Sequence, residues 1–253
     1  MSMIDSARDG PILTITLNQP DRLNALTMAG CFELDALWTT LETDDTLRIA
    51  IITGTGRAFC AGHDLHDDIN APLPDSGWAG LHRRKTLDKP VIVAANGLTV
   101  GGGFELALAC DLIIADEKAR FGLPEALVGF GALGGGASLL PLSMPWHVAM
   151  RYLLTGELMD AETAHRWGLV SDVAPAGTSL DVARRFAEKI LESAPLPIRA
   201  HKAVARAAVE GALNKEQLHA LSIEWFHRII ATEDSREGEA AFREKRKPVW
   251  KGR

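Results

Sequence analysis

Residues 91–111 read VIVAANGLTVGGGFELALACD. An apolar, β-branched run enters a loop, three consecutive glycines follow, and a helix-competent apolar run then carries a single carboxylate, Glu105. The pattern predicts a buried strand, a close turn and a short helix, the kind of unit that builds α/β folds. Without Cβ atoms, the backbone at 101–103 can approach a neighbouring group or a ligand closely. Amides at a helix start lack internal partners and sit at the positive end of the helix dipole, which suits an oxyanion. A glycine bend that only packs helix on sheet would use the same residues. The consecutive spacing does not match GxGxxG, so a dinucleotide phosphate is not the expected ligand.

Working outward, ILTITL (12–17), RIAIIT (48–53) and LIIA (112–115) repeat the short apolar strand pattern of VIVAA (91–95). TMAGCFELDALWTTLET (27–43) places Cys31, Leu34, Trp38 and Leu41 on one helical face, with Thr27 as N-cap. The alternation predicts a parallel sheet with crossover helices, buried on both sides. From about residue 145 the chain reads as helix. Asp160 is placed to cap AETAHRW, Gly168 to end it, and Ser179 to cap LDVARRFAEKILES. KEQLHALSIEWFHRII lines up Leu218, Leu221, Trp225 and Ile229. Such amphipathic helices need a surface to cover, on their own sheet or on another subunit.

The 253 residues are 47% hydrophobic and 24% charged, which fits a globular chain and excludes a disordered one. A net charge of −6 gives no general attraction to nucleic acid or anionic lipid. Cys31, Cys60 and Cys110 follow no pairing or metal motif, and a reduced, cytoplasmic setting is expected. The first ten residues, MSMIDSARDG, show no signal peptide. Residues 128–150 carry no Asp, Glu, Lys or Arg, but five glycines and two prolines interrupt them. A buried wall or pocket lining is expected there, not a membrane span. The basic end, FREKRKPVWKGR (242–253), reads as a solvated tail or as a contact for a polyanionic ligand.

Glu105 lies among Phe104, Leu106, Ala107 and Leu108. Burying a carboxylate there raises its pKa toward the range a general acid/base needs, although a first-turn Glu on a helix dipole is the common alternative. Glu125, in FGLPEALVG (121–129), has the same apolar flanks and follows Pro124. Two such carboxylates, each close to a glycine-rich loop, point to catalysis. RAFCAGHDLHDD (57–68) can present the His63 amide after Ala61-Gly62. His63, Asp64, His66, Asp67 and Asp68 are metal-ligand types, but they match no zinc or calcium spacing, and no metal is expected. There is no GxSxG nucleophile elbow, and the cysteines have no partner base.

RAFCAGHDL, KPVIVAANG, GGGFELALACD, FGLPEALVG and LLTGELMDAETAHRWGLV together resemble the enoyl-CoA hydratase/isomerase (crotonase) superfamily, from ILTITLNQPDRLNAL to EKRKPVWKGR. The resemblance implies a spiral of ββα units over residues 1–195. It also implies a helical C-terminal region, 196–253, that trimerises, often as a dimer of trimers. The implied substrate is an acyl-CoA thioester, with no metal, membrane or nucleic-acid partner and no cofactor beyond the coenzyme A of the substrate. By motif match, the His63 and Gly102 amides form the oxyanion hole, Glu105 and Glu125 are the catalytic pair, and Ala61, Asp64, Leu65 and His66 border the substrate. Both glutamates together favour hydration or dehydration over isomerisation, which in the family generally uses the second alone. Two departures stand out: His63 occupies a position that is small in many hydratases, and VGFGALGGGAS replaces the usual VPGAGGT-like loop. GGGFELALA and the KPVWKGR ending also resemble the carnitinyl-CoA dehydratase branch.

Overall fold

A computed structural model describes residues 3–252. Strands β1 (Ile4–Asp9) and β2 (Ile12–Leu17) form an antiparallel hairpin, and α1 (Met28–Thr43) follows. The chain then alternates between two sheets. It runs β3 (Ile49–Gly54), β4 (Ala58–Cys60), β5 (Val91–Ala95), β6 (Leu98–Val100), α2 (Gly102–Leu108), β7 (Leu112–Asp116) and β8 (Arg120–Gly122). The odd members join a six-stranded sheet, the even members a four-stranded one, so each ββ pair steps the spiral forward. Next come α3 (Gly136–Ser143), α4 (Trp146–Thr155), the two-residue β9 (Met159–Asp160), α5 (Ala161–Arg166) and β10 (Asp172–Ala174). The helices α6 (Ser179–Leu191), α7 (Pro195–Val209), α8 (Lys215–Ile230) and α9 (Glu233–Glu244) complete the described chain.

The large sheet runs β1-β2-β3-β5-β7-β10, parallel from β2 onward, and its central strands are buried on both faces. Alternate side chains take opposite sides. Ile49, Ile51, Ile92 and Ile114 pack on Val182, Ala183 and Ala187 of α6. Ala50, Ile52, Val93 and Ala115 face the main core with Trp38, Phe59, Phe104 and Phe121. The expected parallel sheet is present, with two corrections. β1 pairs antiparallel with β2 and β9 antiparallel with β8, and the three-residue strands of the second sheet are too short to show an alternation in sequence.

Thr27 caps α1 through the Gly30 amide, Asp160 caps α5 through the Thr163 amide, and Gly168 is left-handed after α5. The cap of α6 is Thr178, without a side-chain bond, because Ser179 is already its buried first residue. Segment 128–150 is only partly the expected wall. Ala132, Leu140, Met144 and Ala149 are buried, whereas Val128, Phe130, Leu133, Leu142 and Trp146 face outward in the single chain. The basic end is docked and does not run free. Arg246 pairs with Glu237 and Glu244, the Lys251 and Gly252 amides donate to Asp234, and the Trp250 indole donates to the Glu192 carbonyl. Its last residue, Arg253, lies outside the described residues. No helix among the described residues is long and apolar enough to cross a membrane.

Candidate active site

The spiral brings the glycine-flanked pieces of sequence to one place. Gly102 and Gly103 open α2 against the end of β4, where a Cβ on Gly103 would overlap the Cys60 carbonyl. Gly62 holds φ +99°, and a Cβ there would lie 2.9 Å from the Gly102 amide nitrogen. The loop after β4 therefore presses directly on the start of α2. Leu26 bridges this loop, donating to the Gly62 carbonyl at 2.7 Å and accepting from the Asp64 amide at 2.9 Å. That pairing leaves the His63 amide on the other edge. Among the described residues, neither it nor the Gly102 amide has a backbone acceptor.

Glu105, in the first turn of α2, is buried. Its Oε1 accepts from the Gly136 amide at 2.9 Å. Burial pushes its pKa up from 4.5 to about 7; the Gly136 amide opposes the rise, the charge of Glu125 adds to it, and the Gly134 amide opposes it again. Glu125 follows β8 in the 3-10 turn Pro124–Val128. Burial raises its pKa too, against a hydrogen bond from its own amide. Its Oε2 is buried without a hydrogen-bond partner, and its Oε1 sits 3.4 Å from where a Gly101 Cβ would be. Two carboxyls with raised pKa thus flank the glycine turn, close enough for one to feel the other.

Of the other sequence-predicted site residues, Ala61 donates its amide to the Leu23 carbonyl at 3.0 Å. Asp64 is buried and spoken for: it pairs with Arg22 at 2.5 Å and accepts from the His66 amide at 3.0 Å. Its place is to hold the His63 loop. Leu65 and His66 stand exposed beside it, Leu65 at 85%. His63 Nε2 lies 3.6 Å from Asp67 Oδ2, and its ring meets Trp78 edge-on at 6.0 Å. Among the described residues no three His, Cys, Asp or Glu side chains gather as a metal-binding set.

Trp78 and His82 escape the sequence analysis. The Trp78 indole donates to the Gly102 carbonyl at 2.7 Å, and its Cβ is 3.2 Å from where a Gly134 Cβ would be. It stands between the glycine turn and the loop that holds Glu105. A tryptophan in the Pro/Gly-containing stretch NAPLPDSGWAG (70–80) was the one available signal.

The sequence matches the enoyl-CoA hydratase/isomerase family over residues 7–253. The chain belongs to that family. Among its relatives, the carnitinyl-CoA dehydratases of Citrobacter koseri and Salmonella agona are each 42% identical over 254 residues, covering 97% of both chains. The crystal structure of an enoyl-CoA hydratase from Mycobacterium tuberculosis superposes with a TM-score of 0.94 at 36% identity, covering 99% of each chain. A probable enoyl-CoA hydratase/isomerase from Mycobacterium abscessus gives 0.93 at 37% identity over 100% of each. The fold is therefore the crotonase spiral. Enzymes of the enoyl-CoA hydratase/isomerase family act on acyl-CoA thioesters, and its enoyl-CoA hydratase and carnitinyl-CoA dehydratase members are hydro-lyases.

Proposed function

We propose that this chain adds water reversibly across the 2,3 double bond of an enoyl-CoA thioester. The observation that carries the reading is the placement of two carboxyls of raised pKa beside two amides without backbone acceptors among the described residues. Glu105 takes a proton from the water whose oxygen bonds to Cβ. Glu125 delivers a proton to Cα, and in dehydration the roles reverse. The cycle thus needs one proton between the two, and burial, which raises the pKa of each, eases protonation of either carboxyl. The His63 and Gly102 amides bind the thioester oxygen as it gains enolate charge. Losing one such donor typically costs roughly 3–4 kcal/mol in the transition state. Ala61, Leu65 and His66 border the substrate, with Asp64 supporting them from below. Coenzyme A enters as part of the substrate, and the reaction uses no further cofactor or metal.

Glu105→Gln and Glu125→Gln are each expected to cut crotonyl-CoA hydration by about 100-fold or more, read as loss of the enoyl-thioester absorbance. Near-native turnover in either variant removes that residue from the mechanism. A second reading, dehydration of carnitinyl-CoA, is favoured by the relatives of that name and by the His63–Trp78 aromatic pair beside the carboxyls, a setting suited to a trimethylammonium group. A panel pairing crotonyl-CoA with crotonobetainyl-CoA separates the two, and product mass separates both from isomerisation, which adds no water. The chain works in the cytoplasm as a homotrimer or a dimer of trimers, without nucleic acid or membrane partners. Exposed apolar side chains on α3, α4 and α8 (Leu142, Trp146, Leu154, Phe226 and Ile230) support assembly.

A further inference from the structure

Three separate elements run from the carboxylate site to one cavity. On α2, Leu108 lies one turn beyond Glu105; on α3, Leu139 lies one turn beyond Gly136; after Trp78, Leu81 follows at the same spacing. Leu81, Leu108 and Leu139 line a cavity of about 1060 Å³. The cavity thus lies about one helical turn behind the site. This leucine-lined side suits hydrocarbon, whereas the far walls carry Arg83, Arg84, Lys85, Lys202, Arg206 and Glu210.

What separates the two spaces is thin. A Cβ on Gly134 would lie 2.6 Å from Glu105 Oε2, and a Cβ on the next residue, Gly135, would lie 2.6 Å from His82 Nδ1. The backbone at 134–135 and the His82 imidazole therefore stand between the carboxylate and the cavity that His82 also lines. Nδ1 is buried, yet it has no hydrogen-bond partner among the described residues, so no polar tie anchors that side of the ring. We propose that His82 is a specificity-determining wall: its ring closes the site off from the cavity and so limits the length of acyl chain accepted. This rests on the acyl-CoA reading above.

The test is calorimetric binding of butanoyl-, hexanoyl- and octanoyl-CoA to the full chain. These saturated thioesters do not react, so the readout is independent of turnover. Each buried methylene improves affinity roughly fourfold, so four of them give ample range for a tenfold effect. His82→Ala is expected to raise the octanoyl-to-butanoyl affinity ratio at least tenfold, whereas His82→Phe, which keeps the ring, leaves the ratio as in the native chain. Leu139→Trp, which narrows the cavity beside the ring, cancels the gain in the His82→Ala background. Where the Ala variant fails to fold, His82→Asn shifts the ratio the same way. An unchanged ratio in a folded Ala or Asn variant, or an equal rise in His82→Phe, overturns the proposal. A shifted ratio with no turnover of any enoyl-CoA removes the hydratase reading and keeps the wall. Turnover with an unchanged ratio does the reverse, and failure to bind any acyl-CoA removes both.

Discussion

Glu105 carries an electrostatic cost in the folded chain. A buried carboxyl at 6% exposure is stabilised when protonated, and its pKa of about 7 against 4.5 records the penalty of ionising it in place. Because the folded-state value is raised, the stability linked to this group is fully present below pH 4.5 and is lost as pH rises through about 7. Glu105→Gln, neutral throughout, should therefore gain stability over the native chain on moving from about pH 5 to about pH 8, by roughly 3 kcal/mol at most. Thermal denaturation at both pH values reads this directly. An equal difference at the two would show that Glu105 ionises without penalty. At this scale the carboxylates were legible in sequence because each interrupts an apolar run. Trp78 and His82 were not, since they lie in a stretch without periodicity and meet the site through His63, Gly102, Gly134 and Gly135, all distant in sequence.

The glycine turn at α2 works as an element, with close approach as its requirement. Gly103→Ala would drive a Cβ into the Cys60 carbonyl, and β4 cannot yield because β6 pairs beside it. Overpacking of this kind costs roughly 1–3 kcal/mol. The expected outcome is a melting temperature lowered by several degrees, with hydration reduced further as the Gly102 amide shifts. An unchanged melting temperature and rate would mean that α2 can slide off β4 freely. The long strands β2, β3, β5 and β7 were readable because both faces are buried and the residues are β-branched. β1 buries only Ile4 in its burial pattern and shows no alternation, and β4, β6 and β8 have three residues each.

Across the whole molecule, Asp111 joins the spiral to the C-terminal helices. Its Oδ2 accepts from the Val91 amide at 2.8 Å and from Lys202 Nζ of α7 at 2.6 Å, while Lys202 also donates to the Lys89 carbonyl at 2.7 Å. Burial lowers the Lys202 pKa, so the ammonium depends on this partner. Asp111 is exposed, so Asp111→Ala should cost roughly 1.5–3 kcal/mol in denaturant unfolding, the range for losing a hydrogen bond to a charged group. A loss under about 1 kcal/mol would show that α7 is held by packing alone. Assembly belongs to the same scale: sedimentation should give three or six copies, and a monomer with full activity would refute the expected trimer. The uncharged segment 128–150 makes the same point, since several of its apolar side chains face outward in the single chain and read as buried only if a neighbour covers them.

Local chemistry alone determined the strand–turn–helix unit at 91–111, the caps at Thr27 and Asp160, the buried face of α1 and the two carboxylates in apolar settings, because each depends on neighbours a few residues away. Tertiary structure alone decided that the loop after β4 meets the start of α2, that Gly134 and Gly136 grip Glu105, and that His82 closes a cavity behind it. Those contacts join segments about 30 to 50 residues apart, and only closure of the spiral, driven by burial of the shared core, sets their distance.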